Sequence, residues 1–226
     1  MAEQGDPKDT EVWEPQPKVV TPGNGTAPPS DAVVLFDGQD LFMWESAEGG
    51  PAQWKVEDGS FTVIKGAGNI KTKEKFGDIQ LHIEWRAPEK IEGKGQGRGN
   101  SGILFQERYE LQILDSYQNK TYANGHAGSI YKQAIPLVNA MKKPGEWNLF
   151  DVFYMAPRFS EEGKLEKPAT MTVLLNGVLV QNHTEIKGTT EYIVPPNVHP
   201  HGKAAIALQD HENPVSFRNI WVRRLA

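Results

Sequence analysis

Helical periodicity is nearly absent from this chain. A helix buried on one face repeats its apolar residues at i, i+3, i+4 and i+7, and scarcely any stretch does so here. Only Ile135 to Lys142 has room for a single turn or a short helix. Period two takes its place. Between Asp78 and Trp85, the side chains of Ile79, Leu81, Ile83 and Trp85 fall on one face and polar residues on the other. Similar short runs are split by turn residues. Trp54–Val56 and Phe61–Ile64 flank Asp58-Gly59, and Asn176-Gly177 turns Ala169–Leu175 into Val178–Val180. Ser101–Phe105 and Tyr109–Leu114 read as a further hairpin. Leu149–Met155, Ala204–Leu208 and Phe217–Val222 complete the set. So many hairpin-linked strands without helices predict an all-β fold of two packed antiparallel sheets. The clean alternation of the longer strands, with one polar face, favours a sandwich over a barrel.

A chain of 226 residues, 38% of them hydrophobic, suits one large β domain. Strand patterning starts at Val33, so residues 33–226 are predicted to form the domain. Residues 1–32, with Pro15, Pro17, Pro22, Pro28 and Pro29, are predicted to form a disordered leader. A net charge of −5 argues against a nucleic-acid partner. The chain has no cysteine, which removes disulfides and thiolate zinc sites. No apolar run approaches the roughly 18 residues of a membrane span. The leader resembles the stretch behind a removed signal peptide or lipid anchor, with Met1 an addition. That sets the expectation of a periplasmic or extracellular protein with a lipid tether upstream. Nothing in the pattern fixes an oligomeric state.

Polar residues concentrate at a few places. Glu110 and Gln112 share one strand face, and a one-residue bulge would bring Asp115 onto it. Carboxylates so placed can serve as acid, base or nucleophile on a sugar. Gly97 to Gly102 matches G-x-G-x-x-G, but a glycine-rich loop precedes it and a strand follows, so it is no dinucleotide site. It reads instead as a mobile loop carrying Arg98, Asn100 and Ser101 to a sheet edge. His126, Ser129, Tyr131 and Lys132 cluster near one strand end, and Gln209, Asp210, His211 and Glu212 near another. Glu110, Asp115, His126, His211 and Glu212 together could hold a divalent cation, though no ligand spacing demands one and no other cofactor is implied. Trp147 offers a stacking face for a sugar ring.

The chain resembles the 3-keto-disaccharide hydrolase domain family. The likeness rests on Leu35-Phe36-Asp37-Gly38, Gly99 to Ile103, Tyr109 to Asp115, Gly128-Ser129-Ile130-Tyr131, Gly145-Glu146-Trp147-Asn148, Val173 to Gly177, Ala207 to His211 and Phe217 to Ile220, and spans roughly Val33 to Leu225. It implies a concanavalin-like jelly roll acting on glycosides whose glucose C3 is a ketone. A more distant likeness joins Glu110, Gln112 and Asp115 to the E-x-D-x-x-E strand of laminarinase-type glycosidases. Gln112 stands where that strand has its central carboxylate, which argues against ordinary double displacement.

The resemblance suggests roles. Glu110 or His126 would take the C2 proton, with Asp115 as acid partner. Lys132, Tyr131, Arg98 or a bound cation would stabilise the enolate. Asn100, Ser101, Gln112, Ser129, Gln209 and His211 would grip hydroxyls. Three other readings remain open: a non-catalytic carbohydrate-binding module, a glycosidase cutting unoxidised glucan, and a structural or adhesion domain.

Overall fold

The computed structural model describes residues 5–225; the expectation attached to Met1 lies outside them. Two antiparallel sheets pack face to face. The larger has eight strands. From one edge they run Val178–Glu185, Thr170–Leu175, Asn148–Met155, Ile79–Arg86, Ser216–Arg224, Ser60–Thr62 and Lys55–Glu57, with Val33–Phe36 also paired to Ser216–Arg224. The smaller has five, in the order Trp44–Ser46, Ile70–Thr72, Ala207–Leu208, Ser101–Phe105 and Tyr109–Ile113. Strands distant in sequence lie side by side in both sheets, and the architecture is a jelly-roll sandwich.

The hairpins form where turn chemistry predicts them. Asp58 and Gly59 both take positive φ, as do Asn176 and Gly177, the geometry that matches a two-residue turn to strand twist. Between the sheets, Ile79, Leu81, Ile83 and Trp85 face Ile103, Phe105, Leu111 and Ile113 in one continuous apolar core. The Ile135–Lys142 segment forms no helix. Ile135 and Leu137 point outward, and the amide of Leu137 donates to Val180 O instead.

The outer face of the large sheet is covered from the N-terminal side. Thr26 Oγ1 donates to Glu84 and Thr26 O accepts from the Trp221 indole, while Asp31 forms a paired contact with Arg223. Beneath this layer His82 stacks on Trp221 and meets Asp151. Two polar positions of the predicted alternation, His82 and Glu84, are therefore buried.

The outer face of the small sheet is different. Ser101 pairs with Ile113, Gly102 with Gln112 and Leu104 with Glu110, in unbroken register. Alternation then turns Ser101, Ile103 and Phe105 inward and leaves Gly102, Leu104, Glu110 and Gln112 together on the outer side.

Candidate active site

A cleft of about 700 Å³ lies over that outer face. The sheet supplies its floor through Leu104, Glu110 and Gln112. Loops supply the walls. The glycine-rich loop brings Gln96, Gly97 and Asn100, and the chain after Leu208 brings Gln209 and His211. Opposite them stand Tyr122, Tyr131, Thr190 and Tyr192.

Glu110 is the one carboxylate among the residues lining this cleft. Its backbone is fixed on both sides: its amide donates to Thr190 Oγ1, and its carbonyl accepts from the Tyr131 amide. Its carboxyl group has no hydrogen-bond partner among the described residues, and the residue as a whole is 5% exposed. Loss of solvation, uncompensated by a donor, pushes its pKa up to about 7. Room for the group comes from Gly102 on the neighbouring strand, over which the Glu110 side chain folds.

Beside it, Gln112 Nε2 donates to Gln96 Oε1 and Asn100 Oδ1 at 3.1 and 3.2 Å. Gln112 Oε1 is buried and, among the described residues, unpartnered, an unusual cost for a buried acceptor. Gln96 is held in turn by Thr121 Oγ1 and Gly125 O. Across the cleft the hydroxyls of Tyr122 and Tyr131 lie 2.5 Å apart. Burial first, then the shared hydrogen bond, pushes the Tyr131 phenol far above its ordinary range, and burial raises Tyr122 as well. Both phenols therefore hold their protons to higher pH than a free tyrosine.

Of the residues expected to act, Glu110, Gln112, Asn100, Tyr131, Gln209 and His211 meet in the cleft. Asp115 does not. The strand ends at Ile113 without the bulge that would have turned Asp115 to the Glu110 face. Its buried carboxylate is held by Arg98 Nε at 2.7 Å and by the Tyr117 amide. Arg98 is committed to the same pair and to Tyr117 O. Both line an adjoining pocket of about 520 Å³ that shares Gly97 and His211 with the cleft.

Ser101 points into the sandwich and donates to Gln209 O, and Ser129 is equally buried, 3.5 Å from Ala123 O. His126 lies outside the cleft lining. Its Nδ1 is buried without a partner, and burial lowers its pKa. Lys132 lies one pocket away, bonded to Tyr192 O. Trp147 offers no free ring face to this cleft. The guanidinium groups of Arg86 and Arg218 sit 4.6 and 4.2 Å from its ring centre.

The glycine-rich loop is pinned rather than loose, since Gly95 exchanges two hydrogen bonds with Asn119. The proposed cation ligands do not converge. Glu212 pairs with Lys65, and among the described residues no group of three or more His, Asp or Glu is arranged around a common point. Sequence reasoning missed Gln96, Tyr122, Thr190 and Tyr192. Gln96 lay inside the flagged glycine-rich loop, whereas the others sit on irregular segments with no periodic signal.

The model of the 3-keto-alpha-glucoside-1,2-lyase-like domain family matches residues 31–223. Among solved structures, one from Parabacteroides distasonis ATCC 8503, described as a "putative glycosyl hydrolase", is 55% identical, covers 97% of each chain and superposes with a TM-score of 0.94. A second structure so described from the same organism is 21% identical, with 87% of this chain and 94% of that one covered and a TM-score of 0.65, and it shares the fold. No curated protein matches the sequence.

Proposed function

The chain belongs to the 3-keto-alpha-glucoside-1,2-lyase-like domain family, and from that premise we propose that it cleaves 3-keto-glycosides by elimination across C1 and C2. Carbohydrate hydrolysis is the broader activity that the family and the 55% identical relative support.

The observation that carries the finer reading is a solitary, unpartnered carboxylate with a pKa of about 7 in a cleft of sugar size. Retaining glycosidases need two carboxylates roughly 5 Å apart, and no second one lines this cleft. A binding module would have no use for a carboxylate so costly to bury.

A C3 ketone acidifies the C2 proton. Glu110 takes that proton, and the electron pair is held on C2 and the C3 oxygen. Those electrons then form the C1–C2 double bond as the C1–O bond breaks. The leaving oxygen collects a proton from the Tyr131–Tyr122 pair, which takes the acid role in place of Asp115, whose carboxylate is committed to Arg98 and the Tyr117 amide. Water next adds to the enone: its hydroxyl goes to C1 and its remaining proton returns to the tyrosine pair, while Glu110 gives the abstracted proton back to C2, which restores the ketosugar and both catalytic groups. Gln112, Asn100, Gln209 and His211 hold hydroxyl groups. A general base matched to neutral pH is worth about 10²–10⁴ in rate. The same reading keeps the protein in an exported compartment, where such glycosides would reach it.

The test is to incubate the protein with a 3-keto-glucoside and with its unoxidised parent, with and without a chelator. Release of aglycone from the keto form alone supports the proposal. Cleavage of the parent overturns it in favour of a conventional glycosidase, and cleavage of neither in favour of a binding domain.

A further inference from the structure

Beyond the tyrosine pair the cleft opens into a second pocket of about 500 Å³. Tyr122, Tyr131 and Tyr192 line both spaces, so the two adjoin. The far wall is made by Ile193, Val194, Pro195 and Pro196. Ile193 is 87% exposed, Tyr192 69% and Val194 58%. Such a run of large apolar side chains turned to solvent is costly unless something covers it. The loop that carries it is anchored at its base. Thr189 N donates to Asn197 O, Thr190 N to Arg108 O, and Gly188 approaches Asn197 so closely that a β-carbon would stand 2.6 Å from its carbonyl oxygen.

Some of the polar groups around this pocket are spent, while the Asn124 side-chain amide, the Glu191 carboxylate and the Tyr192 hydroxyl have no hydrogen bond among the described residues. The Tyr122 and Tyr131 hydroxyls bind each other, and Gln133 uses its amide on Gly188 O and the Lys187 amide. Lys132 Nζ donates to Tyr192 O while lying 4.0 Å from the Tyr192 ring centre and 5.7 and 5.8 Å from those of Tyr122 and Tyr131. A sugar ring needs partners for its hydroxyls, and the wall of Ile193, Val194, Pro195 and Pro196 offers it none. A flat, hydroxyl-poor ring gains from apolar walls and a nearby cation, and finds both.

We infer that this pocket receives the leaving group, and that the leaving group it is shaped for is an aromatic aglycone rather than a second hexose. The inference rests on the elimination proposed above, which puts the departing oxygen at the tyrosine pair.

The test uses the full chain and the paired variant Ile193→Ser/Val194→Ser, whose substituted residues are exposed and make no catalytic contact. Two readouts are taken. Binding of free 2-naphthol is titrated against glucose by NMR. KM and kcat are then measured on 3-keto-glucosides with a phenolic or a glucosyl leaving group. In the variant, 2-naphthol affinity is expected to fall and KM for the phenolic substrate to rise, each about tenfold from the lost apolar contact. Its kcat, and both constants for the disaccharide, should hold. Unaltered naphthol binding, or equal shifts in both KM values, overturns the inference. So does a dimer that the substitutions dissociate, since a second copy would then be the natural cover of the wall. If neither substrate turns over, the elimination reading fails, and the naphthol titration still decides whether the pocket is aromatic.

Discussion

The carboxyl group of Glu110 lies over Gly102, two residues from its cross-strand partner Leu104, so closely that a β-carbon there would stand 2.6 Å from Oε1 and 3.0 Å from Cγ. Glycine is needed for space, since Gly102 has no positive φ. Gly102→Ala should displace the base and lower kcat/KM about 10²-fold, the scale of an ångström's misplacement, with overpacking costing about 1–3 kcal/mol. Comparing Gly102→Ala, Glu110→Gln and the double variant checks the cause. The double variant should be no slower than Glu110→Gln.

Turnover should follow the ionisation of the same group. Glu110 acts as a base only when deprotonated, so kcat/KM is expected to rise with pH through about 7 and level off above it. A profile with its acid limb near 4.5, the ordinary value for a glutamate, would assign the base elsewhere.

Stability should move in the opposite direction. Below about pH 4.5 Glu110 is protonated in both folded and unfolded chains and contributes no pH dependence. As pH rises from 4.5 towards 7 the unfolded chain releases its proton first, so the fold loses stability until the folded group also ionises. The full penalty is about 3 kcal/mol. Glu110→Gln should therefore match the parent protein near pH 4 and exceed it at pH 8 in urea denaturation.

Asp115 and Arg98 should behave as structure. Their contact at 2.7 Å is buried, and Asp115→Ala would strand the guanidinium at a cost of about 3–5 kcal/mol. Asp115→Asn should unfold at lower denaturant, yet turn over with an unchanged pH profile while folded. Loss of kcat in well-folded Asp115→Asn would restore the aspartate to the chemistry.

The phenol pair should matter in proportion to the leaving group. With Tyr131→Phe, kcat for a poor alkoxide leaving group is expected to fall about 10²-fold or more. A 4-nitrophenyl 3-keto-glucoside, whose aglycone departs without a proton, should be nearly unaffected. Equal losses on both would give Tyr131 a binding role only.

Local rules carried much of the fold. The Asp58-Gly59 and Asn176-Gly177 turns, the alternating core face from Ile79 to Trp85, and the shared face of Glu110 and Gln112 all follow from one or two adjacent residues and a period of two. Asp115 leaves the predicted face because the register runs unbroken to Ile113, with no bulge to turn it. Trp147 is no platform for the cleft, because Arg86 and Arg218, both on strands of the large sheet, lie over its ring. Gln96, Tyr122 and Tyr192 were out of reach for the same reason. Their positions depend on hydrogen bonds between distant loops, such as Gln96 to Gly125 and Thr189 to Asn197, and no periodicity encodes those.

The Thr21 to Asp31 segment, which follows no strand pattern, acts as a third layer over the large sheet. Trimming the chain at Val33, where the strands begin, would remove Thr26 from Glu84, Asn219 and the Trp221 indole, and Asp31 from Arg223. A minimal domain cut at the visible boundary would thus present a raw tryptophan and a half-solvated glutamate on the side opposite the cleft, and would be the stickier protein for it.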